Sequence, residues 1–89
     1  MHVLIIGAGG MIGAKLAQAL AERGVLRGQP IMRMTLADIA APMRPVAGAM
    51  PIDSIAADIS DPAAAQALAD LRADVIFHLA AIVSGEAER

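Results

Sequence analysis

The chain opens on a short apolar run, His2 to Ile6 (HVLII), and breaks at once into a glycine-rich segment, GAGGMIG, from Gly7 to Gly13. The run is β-branched and uninterrupted, the pattern of a strand buried on both faces of a parallel sheet. Met11 to Arg23 is helical in period. Ile12, Leu16, Ala19 and Leu20 share one face, Lys15, Gln18 and Glu22 the other. Gly24 stands where a left-handed C-cap belongs. Between strand and helix, Gly7, Gly10 and Gly13 are spaced G-x-x-G-x-x-G. The three glycines do different things. Gly7 allows the tight turn off the strand, Gly10 lets the backbone approach a pyrophosphate, and Gly13 lets the helix lie near the sheet. The N–H groups at Met11 and Ile12 then face an anion, which the helix dipole favours. A lone glycine triplet says little, but in this strand-turn-helix setting it specifies a dinucleotide-binding turn. No Lys-Ser/Thr pair follows the glycines, which excludes a P-loop.

Ile31 to Asp38 alternates Met32, Met34 and Leu36 with Arg33, Thr35 and Ala37, a second strand reached through the connection Val25 to Pro30. Ile39 to Pro51, with Pro42, Pro45 and Gly48, reads as loop, and Ile52 to Ile59 as a third strand. Ser60 or Asp61 can cap a helix that has Pro62 at its first position. That helix runs from Ala63 to about Leu71, with Ala67, Leu68 and Leu71 inward. Asp74 to Ala80 (DVIFHLA) is a fourth, buried strand. The order β-α-β-β-α-β predicts an α/β fold: a Rossmann-type parallel sheet with flanking helices, strands ordered 3-2-1-4, only the first half of that fold present.

Of the 89 residues, 57% are hydrophobic and 18% charged, more apolar than a small independent unit needs to be. Residues 1–89 therefore read as a fragment of a longer protein, the buried half of a larger sheet. The net charge of -2 offers no basic surface to nucleic acid. The apolar stretch Val3 to Ala14 is broken by glycines and falls short of the about 20 residues that cross a bilayer, so no membrane partner is expected. No cysteine is present, which excludes disulfides and thiolate metal sites and fits a cytoplasmic location; no metal site is assigned.

Asp38, ending the second strand, is placed to accept both hydroxyls of an adenosine ribose. An anion there repels a 2′-phosphate, favouring NAD over NADP, while Arg33 and Arg44 are the cations that argue the other way. Asp58 can accept from the adenine amino group and the Ile59 amide can donate to a ring nitrogen; the alternative for Asp58 is a surface carboxylate ahead of a helix cap. His78, inside an apolar strand, reads as a buried, hydrogen-bonded structural histidine. Ala80 and Ala81 are small residues at a strand's C-terminal end, where ligands of such sheets bind.

GAGGMIG, Asp38, Asp58-Ile59 and HLAA at His78 to Ala81 together resemble the extended short-chain dehydrogenase/reductase family, also called the NAD-dependent epimerase/dehydratase family. The resemblance covers nearly the whole chain. It implies that Gly7, Gly10, Met11 and Ile12 form the pyrophosphate loop, that Asp38 and Ile39 contact the adenosine ribose, that Asp58 and Ile59 contact adenine, and that Leu79, Ala80 and Ala81 line the cofactor. Met11 departs from the family's usual Phe or Tyr, a small matter where the backbone makes the contact. The tail HLAAIVSGEAE is similar to the branch holding dehydrogenases of sugar acids such as D-erythronate and nucleotide-sugar 4-epimerases. It is also similar to the short-chain type of L-threonine dehydrogenase, in which a Ser matching Ser84 touches substrate. The implied activity is hydride transfer between NAD and a carbinol of a sugar acid or polyol, in a homodimeric parent. A UDP-sugar 4-epimerase and a non-catalytic dinucleotide-sensing protein are the alternatives. The family's Tyr-x-x-x-Lys chemistry has no counterpart here, since the chain contains no tyrosine; no catalytic residue is assigned.

Overall fold

The computed structural model describes residues 1–45 and 50–79. The elements are β1 (His2–Ile6), α1 (Met11–Arg23), β2 (Val25–Leu26), β3 (Gln29–Pro30), β4 (Arg33–Asp38), β5 (Ile52–Ala56), α2 (Pro62–Ala69) and β6 (Val75–His78). Four strands form one sheet ordered β5-β4-β1-β6, and every neighbouring pair is parallel. This is the expected 3-2-1-4 order. All four strands therefore end at the same edge.

β1 lies inside the sheet, where an uninterrupted apolar run can be covered on both sides. Val3, Leu4, Ile5 and Ile6 are all buried, each contributing on the order of 1.5–3 kcal/mol. Val3 and Ile5 pack with Met34, Leu36 and the inner side of α1; Leu4 and Ile6 pack with Ala37 and Leu68 of α2. The two helices thus cover opposite faces. β4 is buried more completely than its alternation suggests: Met34, Thr35, Leu36 and Ala37 are all covered. Thr35, the buried polar residue, has Oγ1 2.7 Å from His2 Nε2.

Several expectations are corrected. α1 keeps its expected limits and ends on Gly24 in the left-handed region, whose N–H donates to the Leu20 carbonyl. Its inner face, however, is Gly13, Ala17, Leu20 and Ala21, while Ile12 and Ala19 point outward. The reason lies at Gly13: a Cβ there would sit 2.7 Å from Ala8 Cα. This close approach turns the small-residue stripe toward the sheet and swings Ile12 away. The second strand begins at Arg33, not Ile31. The expected plain connection holds a short antiparallel pair, β2 and β3, joined by Arg27 (φ 53°) and Gly28 (φ 77°), both in the positive-φ conformation of a type I′ turn.

The third strand stops at Ala56 rather than Ile59. α2 covers Pro62–Ala69 with Asp61 as cap, its carboxylate accepting from the Ala63 N–H at 3.1 Å. Leu68 is its buried anchor; Ala67 and Leu71 are exposed. The fourth strand is shorter than Asp74 to Ala80 and not buried throughout, because among the described residues β6 lies at the sheet's edge and pairs with β1 alone. Val75 and Phe77 are half-buried, whereas Ile76 and His78 are exposed. His78 is therefore not the buried structural histidine its apolar neighbours suggest.

Candidate dinucleotide-binding site

Parallel register brings the sequence-expected residues to one edge. Gly7 to Ile12 follow β1, Ile39 follows Asp38 at the end of β4, Asp58 and Ile59 follow β5, and Leu79 follows β6. Leu79 continues the ladder, its N–H donating to the Ile6 carbonyl at 2.9 Å. Ala80, Ala81 and Ser84 lie outside the described residues.

The glycines separate by geometry. Gly7 has φ 91°, in the region that disfavours a side chain. Gly13 is required by packing against β1's exit, as above. Gly10 is different: its φ is -77° and a Cβ would meet nothing closer than the Gly7 carbonyl oxygen at 3.6 Å. Nothing among the described residues calls for glycine there, which is what a backbone kept bare for a ligand looks like. Gly10 is also the N-cap of α1, with no side-chain cap and no acidic residue in the first turn. A helix start leaves its first N–H groups without intrahelical partners. Met11 and Ile12, residues 76% and 72% exposed, leave that end of α1 unobstructed. This end of α1 offers backbone amides and open space.

The turn is fastened to β4. Gly7 and Ala8 both donate N–H bonds to the Ala37 carbonyl, at 2.8 and 3.2 Å. The Gly9 N–H donates to Asp38 Oδ2 at 2.8 Å, and the Ile39 N–H to Oδ1 at 2.7 Å. Asp38 is half-buried and beside the glycines, as a ribose acceptor must be. Gly9 has no role in the sequence reading, which names Gly7, Gly10 and Gly13 with the Met11 and Ile12 amides; the Gly9-Gly10 doublet is its only signal.

Arg33 is not placed to meet a 2′-phosphate beside Asp38. It begins β4, at the end of the sheet opposite Asp38, and its guanidinium holds Asp53 at 2.5 Å. Asp58 lies beyond the strand end rather than on it, and is fully exposed. Its Oδ1 accepts from both the N–H and the hydroxyl of Ser60, at 3.0 and 2.6 Å. The Ser60 hydroxyl bond, then its amide bond, hold the Asp58 carboxyl below its ordinary value. Ile59 is half-buried and packs on the α2-side cluster. No group of metal-ligating side chains occurs among the described residues. No helix among them is long and apolar enough to cross a membrane.

A four-stranded parallel sheet with a glycine turn and a strand-end carboxylate at one edge defines a dinucleotide-binding α/β protein. Residues 3–89 match the NAD dependent epimerase/dehydratase family, and the chain belongs to that family. It is 42% identical, over 99% of its own length, to a D-erythronate dehydrogenase of Cupriavidus necator, spanning 28% of that protein. It also superposes on the crystal structure of a nucleoside-diphosphate-sugar epimerase from Agrobacterium tumefaciens with a TM-score of 0.88 and 52% identity, over 99% of this chain and 26% of that one. The chain thus spans little more than a quarter of either relative.

Proposed function

We propose that this chain is the adenosine- and diphosphate-binding part of an NAD-dependent oxidoreductase that moves hydride between NAD and a carbinol carbon of a sugar acid, with D-erythronate the substrate. The observation that carries the cofactor reading is the Asp38 carboxylate held beside the glycine turn. A negative charge at that place opposes a 2′-phosphate, and Arg33, engaged at the far end of β4, does not offset it. Gly7, Gly10, Met11 and Ile12 take the diphosphate, Asp38 and Ile39 the ribose, Asp58 and Ile59 the adenine. Leu79, Ala80 and Ala81 line the cofactor, and Ser84 reaches substrate. Bound NAD supplies the hydride acceptor; this chain's residues bind and orient it. Proton transfer falls to a Tyr-x-x-x-Lys pair beyond residue 89, in a longer, homodimeric, cytoplasmic enzyme. The substrate reading is supported by the identity to D-erythronate dehydrogenase.

The likeness to a nucleoside-diphosphate-sugar epimerase favours a second reading, a UDP-sugar 4-epimerase in which NAD is recycled within each turnover. The full-length chain separates the two. With D-erythronate and NAD, absorbance of NADH should accumulate; a nucleotide sugar epimerised without net NADH supports the second reading instead. Calorimetric titration should show NAD binding more tightly than NADP, and Asp38→Ala should weaken NAD by about 1–3 kcal/mol. Failure of both dinucleotides to bind would end both readings.

A further inference from the structure

We propose that Asp38 is also a positioning residue for the diphosphate turn, so that one carboxylate sets both the ribose and the diphosphate parts of the site. This rests on the dinucleotide reading above. Three consecutive amides tie the turn to the end of β4. Those of Gly7 and Ala8 reach the Ala37 carbonyl, and that of Gly9 reaches Asp38 Oδ2. The next amide, of Gly10, turns back to the Gly7 carbonyl at 3.3 Å. Among the three tethers to β4, only that of Gly9 ends on a side chain.

The carboxylate is held from two sides, by the Gly9 and Ile39 amides. It is also packed on the turn: a Cβ on Gly9 would come within 2.8 Å of Oδ2. Asp38, half-buried, thus lies against the backbone of the turn. Gly9 immediately precedes Gly10, the uncapped start of α1. Fixing the Gly9 peptide fixes the direction from which the Met11 and Ile12 amides present themselves. An ionised carboxylate has about four acceptor sites, so two amide bonds leave acceptors for the ribose hydroxyls. Removing the carboxylate therefore removes the ribose contact and also loosens the amides that face the diphosphate.

The test uses the purified protein as wild type, Asp38→Ala and Asp38→Asn, with two probes: NAD, and NAD whose adenosine ribose lacks the 2′ and 3′ hydroxyls. Calorimetry gives each affinity, and amide hydrogen exchange of the ligand-free protein follows Gly9. Asp38→Ala should weaken binding of the dideoxy probe about tenfold, because the ligand must then order a turn that the carboxylate no longer holds. Gly9 exchange should quicken while β1 amides stay protected. Asp38→Asn, whose amide oxygen still accepts one N–H, should recover part of that loss, and it carries the same test should the alanine variant lose its fold. Unchanged affinity for the dideoxy probe, or unchanged Gly9 exchange, overturns the positioning role while leaving the ribose contact standing. A wild type that binds neither probe overturns the dinucleotide reading and this proposal with it.

Discussion

Substituting Gly13 by alanine tests whether the first helix is set by backbone contact rather than by cofactor. The added Cβ would meet the Gly7 carbonyl oxygen and lie 2.7 Å from Ala8 Cα, where ordinary van der Waals contact begins at 3.4 Å. Both obstacles are backbone, so no rotamer change relieves them; clearing Ala8 Cα alone takes a retreat of α1 by about 0.7 Å, and clearing the nearer Gly7 oxygen takes more. Ala17, Leu20 and Ala21 retreat with it and lose contact with Val3 and Ile5. Overpacking of this kind costs about 1–3 kcal/mol, a large share of the roughly 5–15 kcal/mol by which domains are stable. For a domain of this size each 1 kcal/mol is worth about 4–8 °C in Tm. The assay is thermal and urea unfolding followed by far-UV circular dichroism, with Gly10→Ala as the partner variant. Gly10 meets nothing nearer than 3.6 Å, so its alanine variant should keep the wild-type midpoint and lose dinucleotide affinity. A Gly13→Ala protein that unfolds with wild-type stability refutes the packing argument. A Gly10→Ala protein that binds NAD unchanged refutes the idea that this glycine is kept bare for a ligand.

Asp61→Ala should destabilise the protein by about 1 kcal/mol in urea titrations by removing the cap on the Ala63 amide, with Asp61→Asn close to wild type. Leu68→Ala should cost about 2–5 kcal/mol in the same assay, because Leu68 is the buried anchor of α2 on Leu4, Ile6 and Ala37. The Asp58 carboxyl, held low by Ser60, should titrate nearer its ordinary value in Ser60→Ala, as read by carboxyl-carbon NMR. A depressed carboxylate stabilises the fold above its unfolded value, and that contribution fades as pH falls through the folded value. The Ser60→Ala protein should accordingly show a weaker loss of stability on acidification below the ordinary carboxylate range.

The backbone plan was legible because it rests on local chemistry. HVLII has no polar residue after His2, so it could only be the central strand, and Gly24 and Asp61-Pro62 mark helix ends by capping rules that need no tertiary information. What escaped was decided by contacts between distant segments. α1 carries apolar residues on two faces, and the choice between them is made at Gly13 by a clash with Ala8 that no periodicity records. His78 looks like a core residue in sequence, and its exposure follows from β6 having one neighbour, a property of the sheet. At the site, the three spaced glycines and Asp38 were readable as types. The Gly9 tether was not, because a doublet of glycines does not announce which amide meets which carboxylate. Arg33 was ambiguous until strand direction put it at the far end from Asp38.

The central strand is also the earliest in the chain, and its two partners begin at Arg33 and Val75. Parallel pairing forbids a hairpin shortcut. On a ribosome adding about 5–20 residues each second, roughly 4–14 seconds separate the appearance of β1 from that of β6. During that interval HVLII is a sticky, half-dressed ribbon, and α1, a local structure that forms within microseconds once released, is the first cover it can find. Nascent chains of this protein should therefore depend on early helix formation, or on a chaperone's shelter, well before any dinucleotide could help them.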